Sequence, residues 1–398
     1  MRCLYIVSED PISPDFRGGA SAMYYDQLFA LANLGCEIHL WHYASPDRRA
    51  VFDDFNKLHA ESWNTLLKLC KTIHTSTHKR HKTLFERALC KAYCCLSTQI
   101  PIPQWDIYRQ FKSRLLQVDP DLIWAQHFEP GALAAQQFHV PFVYVHHDWL
   151  YRIKSLRNNR PFNSRQKVIE EHLVRRASAV LSGSFTECQE ITKAGSRSVH
   201  YIPVTYDRVP LAIGASPLPS PRIVHLGGMG TTANREGLAA FIREVWPQLQ
   251  NRLELWIVGD ISGAPPLLQQ QLASFHCTGF VSDLTTVLRP FDIQIIPWQH
   301  ATGQRTRLPL AFNHAQVVVA TRASVACYPE AVDGQNCRLV DGLSQMADAI
   351  DELSRNPEFR QKLGRHARAT FEACFTRPSV LPKYQALLQT LFPVQSCS

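Results

Sequence analysis

The chain has 398 residues, 45% of them apolar, and a formal net charge of +8. That is ample material for a large core and two domains, and the charge is spread along the chain, so it fits an anionic substrate, an acidic membrane surface or nucleic acid without choosing among them. The twelve cysteines contain no C-x-x-C and no Cys/His set with zinc-finger spacing, so they read as reduced thiols of a cytosolic protein rather than a disulfide framework or a zinc site.

The first element is "CLYIVS", a short buried-strand pattern too brief for a signal peptide. No later stretch reaches the roughly 18 apolar residues of a membrane span. Pro, Asp and Gly then punctuate "EDPISPDFRGGA", "SAMYYDQLFALANLG" has helical spacing with Gly35 as a stop, and "CEIHLWHY" is a second strand. Strand, Gly-rich turn, helix, strand is the start of a doubly wound α/β unit. Residues 50 to 115 are less regular and richer in Lys, Arg and His, with "THKRHKTLFERALCKAYCCL" fitting a helix with one basic and one apolar face. The α/β rhythm resumes with the strands "PDLIWAQH", "PFVYVHH", "SAVLSGS" and "VHYIPVTYD" and the intervening helices "EPGALAAQQF", "SRQKVIEEHLVRRA" and "FTECQEITKAG".

The Pro-, Ser- and Gly-rich segment 208–221 reads as a linker between an N-terminal domain, 1–207, and a C-terminal domain, 222–380. The rhythm restarts after it with "RIVHLGGM", "NREGLAAFIREVWPQL", "LELWIVGD", "PPLLQQQLASF" and "HCTGFV". A helix over "LTTVLRPF" and the strand "DIQIIPW" come next. A loop, a helix and "VVVAT" follow, then two closing helices. Residues 381–398 are expected to form a C-terminal helix that packs back on the N-terminal domain. The fold class expected is α/β, with two facing Rossmann-like, doubly wound domains.

Several stretches carry chemistry. "FRGGASAM" puts Gly18 and Gly19 at a strand-to-helix turn, where the backbone can approach a ligand and free N–H groups meet an anion; a tight turn serving only the fold is the other reading. "HLGGMGTTANREG" is the equivalent turn of the second half, with Gly227, Gly228, Gly230 and the cation Arg235, and reads as a phosphate site or a plain strand exit. "VYVHHDW" places His146, His147 and Asp148 at the carboxyl end of a strand, where open α/β sheets bind ligands; at least one His is expected to be functional and the other to face the core. Asp119-Pro-Asp121 is an Asp-x-Asp, but Pro fixes a turn there and no metal site is expected. In "ATGQRTRLPLAFNHAQVVVAT", Gly303, Arg305 and Arg307 make an anion cradle with no Asp or Glu in the stretch. Lys79, Arg80, Lys82, Arg87 and Lys91 form a solvated helix face or a peripheral contact with anionic lipid. Aromatic residues are not interleaved with them in the manner of a nucleic-acid site.

The order and spacing of "HLGGMGTTANREGLAAFIREVWPQL", "ELWIVGD", "CTGFVSDLTTVLRPFDIQIIPW", "TGQRTRLPLAFNHAQVVVAT" and "PEAVDGQNCRLVD" resemble the retaining nucleotide-sugar glycosyltransferases of the group-1 class, family 4. "RGGASAMYYDQLFALANLGCEIHLW", "DPDLIWAQH" and "PFVYVHHDW" look like the first half of that family. The resemblance covers the chain except for residues 50 to 110. It implies the GT-B fold, with a deep inter-domain cleft, a donor-binding C-terminal domain and an acceptor-binding N-terminal one. No metal or cofactor is implied; a nucleotide-diphosphate sugar is the donor substrate. By this resemblance Gly18 and Gly19 approach the donor diphosphate; Gly228 and Arg235 are expected to bind the donor from their own glycine turn. His147 contacts the transferred sugar near the reacting centre. Gly279, Phe280 and Val281 lie beside the nucleobase. The loop of Gly303, Gln304, Arg305, Thr306 and Arg307 contacts sugar and diphosphate.

The acceptor implied is a glycan or lipid-linked glycan in envelope or exopolysaccharide assembly at the cytosolic face. A membrane contact, if made, would be peripheral, and no nucleic acid is expected as a partner. Two positions depart from the usual family pattern. The Glu that grips the donor ribose is replaced by Leu310, and the partner acid seven residues earlier by Gly303. Either another acid serves, with Glu330 the nearest by motif, or the donor is held differently, or activity is lost and the chain is a binding or scaffolding relative.

Overall fold

The computed structural model describes residues 1–13, 19–78, 83–85, 88, 100–152, 164–211, 220–301 and 303–393, with the backbone alone at 19 and 20. The chain forms two compact units. One runs from Met1 to Ile202 and regains the chain from Val380 onward; the other is Pro203–Ser379.

The first unit is built on a seven-stranded, all-parallel sheet: β1 (Arg2–Ser8), β2 (Glu37–Ala44), β3 (Thr72–Thr77), β4 (Leu122–Gln126), β5 (Phe142–His146), β6 (Ala179–Ser182) and β7 (Val199–Tyr201), in the order β3-β2-β1-β4-β5-β6-β7. Both faces are covered. In β1, Leu4 and Ile6 pack into one core while Cys3, Tyr5 and Val7 pack into the other, which is why the strand reads as an unbroken apolar run. Helix α1 (Gly19–Asn33) buries Tyr24, Tyr25, Leu28 and Leu31 at helical spacing. It ends where Gly35 takes φ +80° and Cys36 N–H bonds back to the Leu31 carbonyl at 3.0 Å.

The stretch expected to be irregular is regular over its first part. Helices α2 (Pro46–Leu58) and α3 (Ala60–Leu69) lead into edge strand β3, whose "TIHTST" has the β-branched alternation of a half-buried strand. Lys79, Arg80, Lys82, Arg87 and Lys91 all lie outside the described residues. Helices α4 (Trp105–Val118), α5 (Phe128–Ala134), α6 (Ser164–Arg176) and α7 (Phe185–Lys193) make the remaining crossovers.

The second unit repeats the plan with six parallel strands: β8 (Ile223–Leu226), β9 (Leu255–Val258), β10 (His276–Gly279), β11 (Ile293–Ile296), β12 (Val317–Thr321) and β13 (Cys337–Val340), in the order β10-β9-β8-β11-β12-β13. Its helices are α8 (Thr232–Glu244), α9 (Pro266–Leu272), α10 (Arg307–Asn313), α11 (Arg322–Val325), α12 (Met346–Arg355) and α13 (Pro357–Cys374). "LTTVLRPF" is not a helix: only a 3-10 turn forms over Leu284–Thr286. Asp283 captures the Thr285 N–H, and Pro290 disfavours helical backbone before it. The last helix, α14 (Arg377–Leu391), buries Val380, Tyr384 and Leu387 in the core of the first unit.

In each sheet the strand order reverses between two neighbours, β1 and β4 in the first and β8 and β11 in the second. The carboxyl ends of such a pair open a crevice where doubly wound sheets bind ligands.

Candidate functional site

In the first unit the reversal point is lined with imidazoles. His127 follows β4, and His146 and His147 end β5. His127 has φ +66° and starts α5. The rings of His127 and His147 stack, with centroids 3.7 Å apart, and Tyr24 meets both edge-on. The Tyr24 hydroxyl shares a short hydrogen bond with His127 Nε2. His146 is the histidine that faces the interior, 3.5 Å from the buried Glu187 carboxylate. Burial pushes the His127 ring down to about 4 and, with His127 and Arg152 nearby, the His146 ring to about 3. Burial and the two neighbouring imidazoles hold His147 well below its ordinary value. All three rings are neutral at neutral pH. Burial moves Glu187 the other way, well above the ordinary carboxylate range.

Gly19 is the first residue of α1, and Gly18 lies outside the described residues. Asp119 and Asp121 sit at the opposite, amino end of the sheet. The Arg2 guanidinium lies 3.0 Å from Asp119, and the Arg2 backbone N–H bonds to Asp121 at 2.7 Å. Among the described residues no group of three or more His, Cys, Asp or Glu could hold a metal ion.

In the second unit the glycines at the ends of β8 and β9 press together. A side chain on Gly259, at φ +146°, would meet the Gly227 backbone at 2.7 Å, and one on Gly263 would meet Gly230 N at 2.8 Å. The turn 227–230 therefore lies bare against its neighbour. The side chains behind it hold its shape. Asn234 donates to the Gly228 carbonyl at 2.7 Å, and Arg307 in turn donates to the Asn234 side-chain oxygen and, at 3.0 Å, to His225 Nε2. Arg307 is only 8% exposed. It sits inside this arrangement rather than on the open loop. Burial and the nearby Arg305 lower it to about 9, so it stays a cation at neutral pH, resting on neutral partners. Arg235 folds over the same turn, donating to the carbonyls of Met229 at 3.0 Å and Gly230 at 3.2 Å.

The loop after β11 carries the rest. Gly303 has φ +60°, the half-buried Arg305 lies 5.9 Å from the Trp298 ring centroid, and the Thr306 carbonyl accepts from the Tyr206 hydroxyl at 3.3 Å. Gln304 lies in the same loop. Arg305 and Glu330 both act electrostatically on the buried Tyr328. After β10, Gly279 has φ +67° and Phe280 is 49% exposed. Val281 packs against a small apolar cluster formed by Val224, Leu226, Val258 and Leu288. Leu310 packs against the same cluster. The position where a ribose-binding carboxylate is expected is thus part of an apolar wall.

Of the sequence-predicted residues of the second half, Gly228, Gly279 and Gly303 lie at or just after the ends of β8, β10 and β11, Val281 and Leu310 pack on one apolar cluster, and Arg307 and Arg235 hold the 227–230 turn; Glu330 follows β12. Asn234, His225 and Gly259 were not singled out by sequence. A polar His inside the strand "IVHL" and a Gly ending "LWIVG" are the signals that could have found two of them.

Two parallel-sheet α/β units with strand-end glycines and cations define a two-domain Rossmann-like fold of the GT-B class. The family model for "Glycosyltransferase Family 4" matches residues 17–208 and that for "Glycosyl transferases group 1" matches residues 220–356, so the chain belongs to the group-1 glycosyltransferases. No curated protein matches in sequence. Among solved structures, the chain is similar to a sucrose-phosphate synthase from Thermosynechococcus elongatus (TM-score 0.69, 16% identity, 98% of this chain and 99% of that one). It is similar to a glycosyltransferase from Rickettsia africae (TM-score 0.66, 13% identity, 99% of each chain). It is also similar to Anabaena HepE in complex with UDP and glucose (TM-score 0.65, 15% identity, 98% of this chain and 100% of that one). At these identities the likeness concerns the fold. No helix among the described residues is long and apolar enough to cross a membrane.

Proposed function

We propose that the chain is a retaining, metal-independent glycosyltransferase that moves a sugar from a nucleoside-diphosphate sugar to a glycan or lipid-linked glycan. The observation that carries the donor reading is the buried Arg307 cation behind a bare glycine turn. A guanidinium resting on neutral groups favours an anion in front of it. The UDP and glucose held by the HepE structure support a nucleotide sugar as that anion.

In this reading the anomeric carbon–phosphate oxygen bond breaks as the acceptor oxygen bonds to the same face of the carbon. The acceptor proton passes to the departing phosphate. Arg305, Arg235 and the amides of the turn stabilise the charge that develops on the diphosphate. His147, neutral and half-buried, orients the transferred sugar by hydrogen bonding, without adding positive charge beside a carbon that itself becomes positive.

One observation favours a second reading. Leu310 cannot bond ribose hydroxyls, and it packs against an apolar cluster; an inactive relative that binds without transferring fits this equally. The test is a panel of nucleotide sugars offered to the full chain, with thermal stabilisation and slow donor hydrolysis as readouts. Stabilisation with hydrolysis supports the enzyme, and stabilisation alone supports the binding relative. No response to any donor would overturn the donor site. The anomeric configuration of a transfer product, read by NMR, decides retention.

A further inference from the structure

We infer that Gln126 is a positioning residue that fixes the tautomer of His147, leaving Nδ1 as the ring nitrogen that can accept a hydrogen bond from substrate. The inference rests on the reading of His147 as the residue that meets the transferred sugar.

The argument starts from two groups whose hydrogen-bonding role is invariable. The Trp124 indole N–H can only donate, and it points at Gln27 Oε1 at 2.8 Å. The Gln27 atom there is therefore its oxygen. The Tyr24 backbone carbonyl can only accept, and Tyr5 donates its hydroxyl proton to it at 2.8 Å. The Tyr5 oxygen is thus left as an acceptor. Between these two acceptors stands one end of the Gln126 amide, 2.6 Å from the Tyr5 oxygen and 2.7 Å from Gln27 Oε1. Only an NH2 group fits there, so both of its protons are used and the amide cannot be flipped. Its other end is an oxygen, and it faces His147 Nε2 at 3.2 Å. Two lone pairs would repel at that distance, so Nε2 carries the proton.

Tyr5, Tyr24, Gln27, Trp124 and Gln126 are all buried, so water offers no alternative partners. Burial and the imidazoles of His127 and His146 keep His147 neutral. With Nε2 protonated and the ring uncharged, Nδ1 holds a lone pair. The strands β1 and β4, helix α1 and the loop after β5 thereby set one proton on one ring.

The experiment uses the full chain labelled with 15N-histidine, with the His147 signals identified by their loss in His147→Gln. At neutral pH the expected pattern is protonated Nε2 and bare Nδ1. Gln126→Met, of similar shape, removes the acceptor. Both tautomers should then appear, and kcat should fall about tenfold, one hydrogen bond's worth of positioning, with donor KM unchanged. Trp124→Phe removes the distant indole N–H together with part of a buried ring; a minor second tautomer is expected, with kcat within about twofold of wild type. A wild-type ring protonated at Nδ1, or at both nitrogens, overturns the inference. So does a folded Gln126→Met protein, melting near the wild-type temperature, that keeps the single tautomer and the wild-type kcat. If the wild-type chain transfers no sugar at all, the functional reading fails, while the ring spectra still decide the tautomer.

Discussion

The reversal points of the two units put buried nitrogen bases to opposite uses. In the first unit burial strips His127, His146 and His147 of charge, because an imidazole can shed its proton at little cost near neutral pH. In the second, burial lowers Arg307 only to about 9, and it remains a cation. The same physical effect makes hydrogen-bonding groups of one set and an unneutralised charge of the other. Neutral rings suit contact with a sugar, and a fixed cation suits a diphosphate. The lesson is that burial alone does not define a site's polarity; the intrinsic basicity of the buried group decides it.

The sharpest way to break this contrast is to delete the ring. His147→Ala is expected to lower transfer by about 100-fold or more, with a melting temperature near wild type. Turnover at the wild-type rate would remove His147 from the chemistry.

The next is to separate the two arginines. Arg307→Ala removes a buried side chain and leaves Asn234 and His225 without their partner, so we expect about 2–4 kcal/mol of lost stability together with weakened nucleoside-diphosphate binding. Arg305→Ala, from a half-buried position, should weaken binding roughly tenfold with little change in melting temperature. Calorimetric titration beside thermal melts reads both. Equal melting temperatures for the two variants would show that Arg307 is not structural, and unchanged affinity in Arg305→Ala would misplace the cradle.

Acid should expose the same contrast. A histidine whose folded value is depressed stabilises the fold above its unfolded value, and that stability is lost as pH falls toward the folded value. For His127, with a folded value of about 4, the loss at pH 5 is about 2 kcal/mol. His42, His146 and His147 add to it in the first unit, against His225 and His314 in the second. Glu187, raised by burial, acts in the opposite sense and offsets one of them. Hydrogen exchange at pH 5 should therefore show the first unit opening before the second. The reverse order would mean that those rings are not neutral in the fold.

The smallest effect concerns Leu310→Glu. A carboxylate against the cluster of Val224, Leu226, Val258 and Leu288 should cost about 1–3 kcal/mol and leave donor affinity unimproved. A gain in affinity would show that the acid was the missing part of the donor site.

The sequence determined much of this on its own. Apolar runs buried on both faces and glycine at strand ends are local features, and they were enough for two doubly wound units. That His147 and Gly228 stand at strand ends was legible for the same reason, and carboxyl ends are where doubly wound sheets place ligands; Gly279 was reached only through the family resemblance. "LTTVLRPF" has helical spacing, yet its local neighbours Asp283 and Pro290 reduce it to one turn. Other features depended on partners far along the chain. Arg305 and Arg307 look alike two residues apart, and only packing against His225 and Asn234, more than seventy residues away, sends one inside and leaves the other half-buried. Gln126 carries no signal beyond being polar at a strand end. Its role exists because Trp124, Gln27, Tyr5 and Tyr24 meet around it, and donor and acceptor directions are fixed by tertiary contact rather than by order along the chain.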